Sequence, residues 1–232
     1  MTEIRDLDEP RSRRDRPAKP PLSRAVITAT ALELVRQDGL DAVTLRKVAD
    51  RLDTGPASLY VYVANREELL ERMFDRVLSG VPAVKVNQRK WRERLAELFR
   101  GMLAALDRYP GIAQVGLGSM SSTPGGLAIV ENTLALMHAG GVPDQAAAWA
   151  CDALLLYTVA SAVEHAIERR PILPGHKSPD KDYAGAAREL FLSLPSDRYP
   201  NLNRMAVTMT TGGSPERFEF GLNALIRGAA AR

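Results

Sequence analysis

Few side chains in this sequence have the chemistry of a catalytic or metal-binding site. The chain of 232 residues holds three histidines and one cysteine. One histidine lies in a segment whose residue types suit a metal, with Glu164, His165 and Glu168 close together. On a helix, Glu164 and Glu168 share a face while His165 points about 100° away. A solvated helix face therefore explains this segment better than a metal site does.

Motifs of common enzymes are missing as well. A di-metal carboxylate site in a helical bundle needs two Glu-x-x-His motifs, and none surrounds His138, His165 or His176. The segment VGLGSMSS (115–122) matches neither G-x-S-x-G nor a dinucleotide fingerprint, and no strand pattern precedes it. The lone Cys151 cannot form an internal disulfide. We expect no enzyme activity, no bound metal and no cofactor.

The distribution of charge points to a polyanionic partner instead. Residues 11–66 hold eleven Lys and Arg against six Asp and Glu, whereas residues 1–10 carry a net charge of −3. A local excess of positive charge attracts polyanions such as nucleic acids, although part of it could belong to a solvated arm. The basic region surrounds the segment TLRKVADRLDTGPASLYVYVANREELL, which runs from Thr44 to Leu70.

The elements that position these residues are predicted to be helices, because no segment has a convincing strand pattern. Ser23, Thr44 and Asn65 stand as N-cap residues before three apolar periodic segments, and Gly39 ends the first. Further helices are predicted over residues 89–107, 111–118, 124–139, 143–169, 182–193 and 215–230. The stretch Arg169–Asp182, rich in Pro, Gly and charge, predicts a flexible loop. The predicted fold class is all-α.

The segment Thr44–Leu70 contains two short amphipathic helices separated by Asp-Thr-Gly. Their inward faces are formed by Val48, Ala49 and Leu52, and by Leu59 with Tyr62 or Val63. A small residue such as Ala49 lets two helices cross steeply over a tight turn. Asp53 tolerates the left-handed backbone of such a turn at some cost. The pattern fits a helix-turn-helix, and an ordinary helical hairpin inside an all-α core fits it equally well.

The whole block from Leu22 to Leu70 resembles the N-terminal domain of the tetracycline-repressor (TetR) family. That pattern is helix, Gly, helix-turn-helix, an L-Y-x-[HY]-[FV] segment and a capped fourth helix. Here the segment reads Leu59-Tyr60-Val61-Tyr62-Val63. Two later stretches, IVENTLALMHAGGVPDQAAAWACDALLLYTVASAVEHAIE and ERFEFGLNALIRGAAAR, resemble the C-terminal domain of the tetracycline-repressor-type branch. The chain departs from the pattern at Asp53, Thr54 and Tyr62, where Gly, an aliphatic residue and often His stand.

The resemblance implies an all-α protein in three parts. Residues 1–21 would be a disordered basic arm, residues 22–66 a three-helix helix-turn-helix DNA-binding domain, and residues 67–232 a helical ligand-binding and dimerisation domain joined through helix 4. The arm either lies in a DNA minor groove or is a solubilising tail; its basic residues are Arg11, Arg13, Arg14, Arg16 and Lys19. Helices around Ala146–Ile167 and Phe218–Ala229 would form a four-helix bundle with a second subunit, or be buried within one monomer.

The same resemblance implies two sets of site residues. Contacts to the phosphates and base edges of a double-stranded DNA operator are implied for Thr44, Arg46, Pro56, Ala57, Ser58, Tyr60, Tyr62 and Arg66. A pocket for a small-molecule inducer would be lined by Met73, Val77, Leu103, Met120, Asn132, Met137, Trp149 and Tyr157, each of which plain core packing would also explain. Where tetracycline repressors place chelating histidines, this chain reads Gly80-Val81-Pro82 and Val115-Gly116-Leu117. Tetracycline–magnesium is therefore a poor match.

These observations predict a ligand-responsive dimeric repressor that binds a palindromic operator and is released by a small, largely apolar molecule. The competing interpretation is a helical ligand-binding or scaffold protein with a vestigial helix-turn-helix, and an α-helical enzyme ranks third. The N-terminal sequence lacks a signal-peptide pattern, and the longest apolar run, Ala153–Val163, is too short to span a bilayer. We expect a cytoplasmic homodimer with no membrane partner.

Overall fold

The computed structural model describes residues 21–119, 123–168 and 183–230. Within these ranges the chain forms eleven α-helices and no strand, so the predicted all-α class is confirmed. The helices are α1 (Arg24–Asp38), α2 (Leu45–Arg51), α3 (Pro56–Leu59), α4 (Arg66–Leu78), α5 (Trp91–Asp107), α6 (Ala113–Ser119), α7 (Pro124–Ala139), α8 (Asp144–Glu168), α9 (Tyr183–Ser193), α10 (Pro200–Met209) and α11 (Ser214–Ala229). Short 3-10 turns occupy Leu40–Ala42 and Gln88–Lys90.

The three N-caps predicted for the first helices are confirmed. The side chain of Ser23 accepts a hydrogen bond from Val26 N, that of Thr44 from Lys47 N, and that of Asn65 from Glu68 N. Each bond satisfies one of the N–H groups that the first turn of a helix leaves without a partner.

The predicted bounds of the six later helices lie within two residues of those in the structure. Helix α10 was not predicted, because its sequence PNLNRMAVTM is mostly polar or small; it has only one buried residue, Ala206. The predicted loop Arg169–Asp182 lies outside the described residues.

Helix α4 is shared by the two halves of the fold. It packs against α1 on the N-terminal side and against α5, α6 and α7 on the other. Helix α8 is the centre of the C-terminal part, where it contacts α5, α6, α7 and α11. The segment Asp144–Ile167 of α8 is long and apolar enough to cross a membrane. Its contacts with these four helices identify it instead as a core helix. Helices α9 and α10, which follow α8 and precede α11 in the sequence, pack chiefly on each other.

Candidate functional site

The helix-turn-helix is built on one continuous buried face. Leu45, Val48 and Ala49 of α2 are buried, and so are Leu59 and Val63 around α3. The sequence left open whether Tyr62 or Val63 completes this face. Val63 is almost fully buried, whereas Tyr62 is half-buried and packs at the edge of the core.

The turn between α2 and α3 has the backbone predicted for it. Asp53 has φ of 51° and is the only non-glycine with positive φ among the described residues. Its N–H donates to Asp50 O, and Thr54 N donates to Ala49 O, both at 3.1 Å. These are the two bonds of a Schellman ending, in which a left-handed residue stops the helix. Asp53 therefore provides the left-handed residue that ends α2.

The opposite side of the helix-turn-helix faces solvent. Six of the eight residues predicted to contact DNA are exposed there: Thr44, Arg46, Pro56, Ala57, Ser58 and Tyr60. Helix α3 is only one turn long and begins with Pro56, Ala57 and Ser58, whose side chains are small. The Thr44 oxygen accepts from Lys47 N at 3.2 Å, which leaves its O–H to donate to another group.

The other two predicted contact residues are partly engaged inside the protein. Arg66 Nε donates to Val43 O at 2.8 Å, and Nη2 donates to Leu40 O at 3.3 Å. Arg66 thus holds the start of α4 to the connection between α1 and α2. The carbonyl oxygen of Tyr62 accepts from Arg24 Nε at 3.1 Å. A phosphate contact by Arg66 would have to use the guanidinium donors that these two bonds leave over.

Two exposed side chains on the same surface were not singled out from the sequence. Val61 is 77% exposed beside Tyr60, and Lys47 is exposed on α2 beside Arg46. A solvated valine on a positively charged surface suits the methyl group of thymine, and a lysine suits a phosphate. The sequence could have indicated that Val61 is exposed, because the alternate residues Leu59, Val61 and Val63 cannot all be buried.

The start of α4 carries a second polar anchor. Glu68 does not complete a capping box with Asn65 N, because its Oε2 accepts from the preceding backbone group, Ala64 N, at 2.6 Å. Arg72 also donates to Glu68 at 2.6 Å. The Ala64 N–H and then the Arg72 guanidinium hold the pKa of Glu68 below its ordinary value.

The interior of the C-terminal part contains half of the predicted ligand residues. Met73, Val77, Leu103 and Met137 are buried in one hydrophobic cluster, to which α4, α5 and α7 contribute. Of these, Val77 also lines a groove open to solvent beside α1. The cluster also includes Phe74, Phe99 and Met102, which suit a ligand and were not predicted. Thr133 of α7 and Thr158 of α8 are buried as well. The two threonine hydroxyls donate to carbonyls four residues earlier, so their oxygens remain acceptors.

Two further predicted pocket residues, Asn132 and Tyr157, are engaged in hydrogen bonds to backbone groups, and Tyr157 packs against the edge of the cluster. Asn132 accepts from Val84 N at 2.7 Å and donates to Val84 O at 2.9 Å, which pins the connection between α4 and α5. Tyr157 faces α11, where its O–H donates to Arg217 O at 2.8 Å and its ring stacks on Phe218. Met120 lies outside the described residues.

The placement of Trp149 in a pocket wall is not supported, since its side chain is 70% exposed. Helix α8 buries the side that carries Ala147 and Cys151, and Trp149 lies about 200° around the helix from each. It belongs to an exposed apolar stripe on α8 and α11. The stripe consists of Trp149, Leu156, Ile167 and Phe220.

The metal-like segment is separated as its helical spacing predicts. Glu164 is exposed and pairs with Arg217 at 3.0 Å, whereas His165 is buried and its Nδ1 lies 2.9 Å from Asp107 Oδ2. No group of three His, Cys, Asp or Glu suited to a metal ion occurs in the part of the chain that the structure describes. Cys151 is buried, and burial raises the pKa of its thiol to about 11, so it is a poor nucleophile.

Comparison with known proteins places this architecture in a family. The chain matches the family model "Bacterial regulatory proteins, tetR family" over residues 27–73 and "Tetracyclin repressor-like, C-terminal domain" over residues 82–232. It is 28% identical over 218 residues to the HTH-type transcriptional repressor DrrR1 of Streptomyces coeruleorubidus, covering 93% of this chain and 80% of that protein.

Solved structures agree with the family models. The structure of ActR from Streptomyces coelicolor in complex with (S)-DNPA has a TM-score of 0.80 and 32% identity, covering 91% of this chain and 98% of ActR. BioQ, solved with its double-stranded DNA operator, has a TM-score of 0.56 and 26% identity over 64% of this chain and 90% of BioQ. The chain therefore belongs to the TetR family of regulators, and it is a ligand-responsive, DNA-binding transcriptional repressor.

Proposed function

We propose that this repressor binds a palindromic operator as a homodimer in the cytoplasm, and that a small, largely apolar molecule releases it. Regulators of this family are soluble and generally non-enzymatic DNA-binding proteins. One observation carries the proposal: α4 packs on the helix-turn-helix unit at one side and on the buried cluster of α5, α6 and α7 at the other. A ligand that repacks this cluster would therefore move α4, and with it the exposed DNA-binding surface of the helix-turn-helix.

The DNA contacts in this proposal divide by chemistry. The Thr44 hydroxyl, Tyr60 and Tyr62 would meet phosphate and sugar oxygens, and Arg66 would add a phosphate contact from the start of α4. Arg46, with Pro56, Ala57 and Ser58 at the start of α3, would approach base edges in the major groove. We place residues 22–66 in the reading domain and residues 67–232 in the ligand-binding and dimerisation domain.

The inducer would occupy the buried cluster between α4, α5 and α7. Met73 and Met137 are unbranched and flexible, so they can reshape around a guest molecule. ActR has been solved with (S)-DNPA and with actinorhodin, which supports a small organic molecule as the ligand here. Two recognition elements must sit about 34–36 Å apart to meet successive major grooves. A ligand that favours another spacing lowers operator affinity, and DNA weakens ligand binding by the same factor.

The second subunit would cover the exposed apolar stripe. Trp149, Leu156 and Ile167 are spaced by 7 and 11 residues, so they form one line along α8, and Phe220 of α11 is 79% exposed. Exposed apolar surfaces of this kind mark association sites. Pairing the stripe with its copy would give a four-helix bundle.

The operator proposal is tested by selecting DNA from a random pool with the purified protein and measuring its affinity for the selected duplex. Arg46→Ala should lower specific affinity by about tenfold and relax the preference at one base pair in each half-site. Arg89→Ala, an exposed arginine before α5, is the matched control. Recovery of no common sequence, or equal binding by both variants, would refute the proposed DNA docking.

The dimer proposal is tested by sedimentation. Leu156→Asp should give a monomer, because it places a charge without a partner in an apolar interface. Leu127→Asp alters a similarly exposed leucine on α7 and should leave the mass unchanged. A Leu156→Asp protein that remains a dimer would place the subunit interface elsewhere.

The inducer site is tested by a substitution in the buried cluster. Met73→Trp should fill the cluster and impair release from DNA by an apolar inducer while operator binding persists.

A further inference from the structure

A groove of about 370 Å³ lies where α1 meets the C-terminal ends of α4 and α5. Its volume falls in the range of sites that hold small organic molecules. The floor is apolar and is formed by Leu32 of α1, Val77 of α4 and Ala105 of α5. Leu32 and Val77 are only 6% and 5% exposed, so the floor is part of the packed protein. The groove therefore has a base of buried apolar side chains.

The rim of the groove carries more positive than negative charge. Arg76 of α4 and Arg108 after α5 are both exposed and line it, with Glu33 as its single carboxylate. Glu33 already accepts from Arg36 at 3.4 Å and from Gln37 at 3.1 Å. Across residues 21–119, 123–168 and 183–230, no ion pair joins Arg76 or Arg108 to a carboxylate. Two guanidinium groups thus line one groove, and neither has a charge partner among the described residues.

A simpler explanation of these arginines is available. Arg76 lies in the last turn of α4, and Arg108 is the C-cap of α5. Cations at helix C-termini interact favourably with the helix dipole. This explains the two charges separately, but it does not require that they share a groove with an apolar floor and an aromatic side chain, Tyr109.

We propose that the groove is a second effector site, which lies beside the buried cluster around Met73 and shares Val77 with it, and that it binds a small aromatic carboxylate. The carboxylate accepts charge-assisted hydrogen bonds from Arg76 and Arg108. The aromatic ring lies over Leu32, Val77 and Ala105, with Tyr109 at its side. The charge selects an acid, and the apolar floor selects its ring over a small inorganic anion.

The position of the groove couples it to DNA binding. One wall is α1, which belongs to the helix-turn-helix unit, and the other walls are the ends of α4 and α5. A ligand that fits between them favours one position of the unit relative to the C-terminal part. This coupling rests on the proposed operator binding, whereas binding of the acid itself does not.

The test uses naphthalene-2-carboxylate, titrated by calorimetry into the full-length protein without DNA. We expect saturable binding of one molecule per protomer. The double variant Arg76→Gln, Arg108→Gln should weaken it by about tenfold or more, because hydrogen bonds to charged groups are lost. Arg89→Gln, the control, should bind as the parent does. Naphthalene-2-methanol, which has the same ring without the charge, should bind more weakly. Its affinity should be the same for the parent and for the double variant.

A second variant tests the location without removing charge. Ala29 is exposed on α1 and lines the groove, so Ala29→Trp fills the hollow without entering the core and should abolish binding. Amide chemical-shift changes on adding the acid should include Gly80 and Tyr109. The proposal is overturned if the parent shows no saturable binding, or if the double variant and Ala29→Trp both bind the acid as tightly as the parent does. Equal binding of inorganic phosphate would overturn the assignment to an aromatic acid.

The effect on DNA is measured separately with the selected operator. Saturating naphthalene-2-carboxylate should change operator affinity, and the operator should change affinity for the acid by the same factor. A site that binds the acid without this reciprocal change would overturn its role as an effector site. Failure to obtain any operator would refute the proposed operator binding and would leave the calorimetric result standing.

Discussion

The two ends of α4 are held by different kinds of interaction. At the N-terminal end, Asn65 caps the helix, Arg66 donates to Leu40 O and Val43 O, and Glu68 accepts from Ala64 N. These are short polar bonds, which are satisfied only over a narrow range of distances and angles. This end therefore fixes the orientation of α4 relative to the helix-turn-helix unit.

The C-terminal end of α4 is held mainly by packing. Met73, Phe74 and Val77 are buried, and two glycines let α6 and α7 approach closely. A Cβ added at Gly116 would lie 2.5 Å from the Phe74 ring, and one at Gly125 would lie 2.6 Å from Ser79 N. Packed contacts can be rearranged by a guest of the right shape, whereas the polar end moves as a unit. In the proposed function, a ligand would act at the packed end, and the polar end would transmit the movement to the exposed DNA-binding surface of the helix-turn-helix.

The largest expected effect comes from disturbing the packed end at Gly125. The Gly125 N–H donates to Asp75 Oδ1 at 2.7 Å, and an added Cβ would meet the α4 backbone, so α4 and α7 must separate. We expect Gly125→Ala to lower the free energy of unfolding by about 1–3 kcal/mol, as overpacking typically does. Thermal and urea unfolding measure the effect.

Gly101→Ala is the matched control for this substitution. The nearest atom to an added Cβ at Gly101 is Val81 Cγ1 at 3.8 Å, which is ordinary contact. Because alanine favours a helix over glycine, the control should be neutral or more stable by up to about 1 kcal/mol. Equal stability of the two variants would contradict the close approach of α7 to α4.

The next effect concerns Arg66 at the polar end. Arg66→Ala removes two hydrogen bonds to carbonyls from a half-buried guanidinium, and we expect a loss of about 1–2 kcal/mol in unfolding free energy. If Arg66 also contacts a phosphate, affinity should fall alike for all DNA sequences, and the salt dependence should weaken by about one ion. Arg66→Lys retains the charge but loses the two-pronged geometry. A lysine variant that matches the parent in stability would contradict the anchoring role.

A smaller effect is expected from the cap of α4. Asn65→Ala leaves Glu68 N without its partner, so we expect a loss of about 1 kcal/mol. Asn65→Asp keeps an acceptor at the same position and should restore most of the stability. Chemical denaturation of the three proteins is the measurement. If Asp does not restore stability, the loss arises from another contact of the side chain.

The same contrast explains what could be predicted from sequence. Caps such as Ser23, Thr44 and Asn65 depend on residues three positions away, so local pattern was sufficient to place them. The outward position of Trp149 depends on which side of α8 meets its neighbours, and an almost wholly apolar helix has no periodicity to reveal this. Arg66 was interpreted only as a DNA contact, because its partners Leu40 and Val43 are backbone carbonyls. Carbonyl acceptors of this kind carry no signal in the amino-acid sequence.

The smallest effect sharpens the comparison through pH. Glu68 accepts from Ala64 N and from Arg72, and these bonds keep its pKa in the folded protein below that in the unfolded chain. A carboxyl of this kind contributes stability that is complete above its unfolded pKa and is lost as pH falls through the folded value. We therefore expect Glu68→Gln to lower the melting temperature slightly and constantly above about pH 5, with the difference from the parent shrinking below about pH 4.5. Glu67→Gln removes a charge from the same turn of α4 without a bond to a backbone N–H. It is the control for the loss of charge, and a parallel decline in both variants would mean that general charge, rather than the Ala64 bond, is responsible.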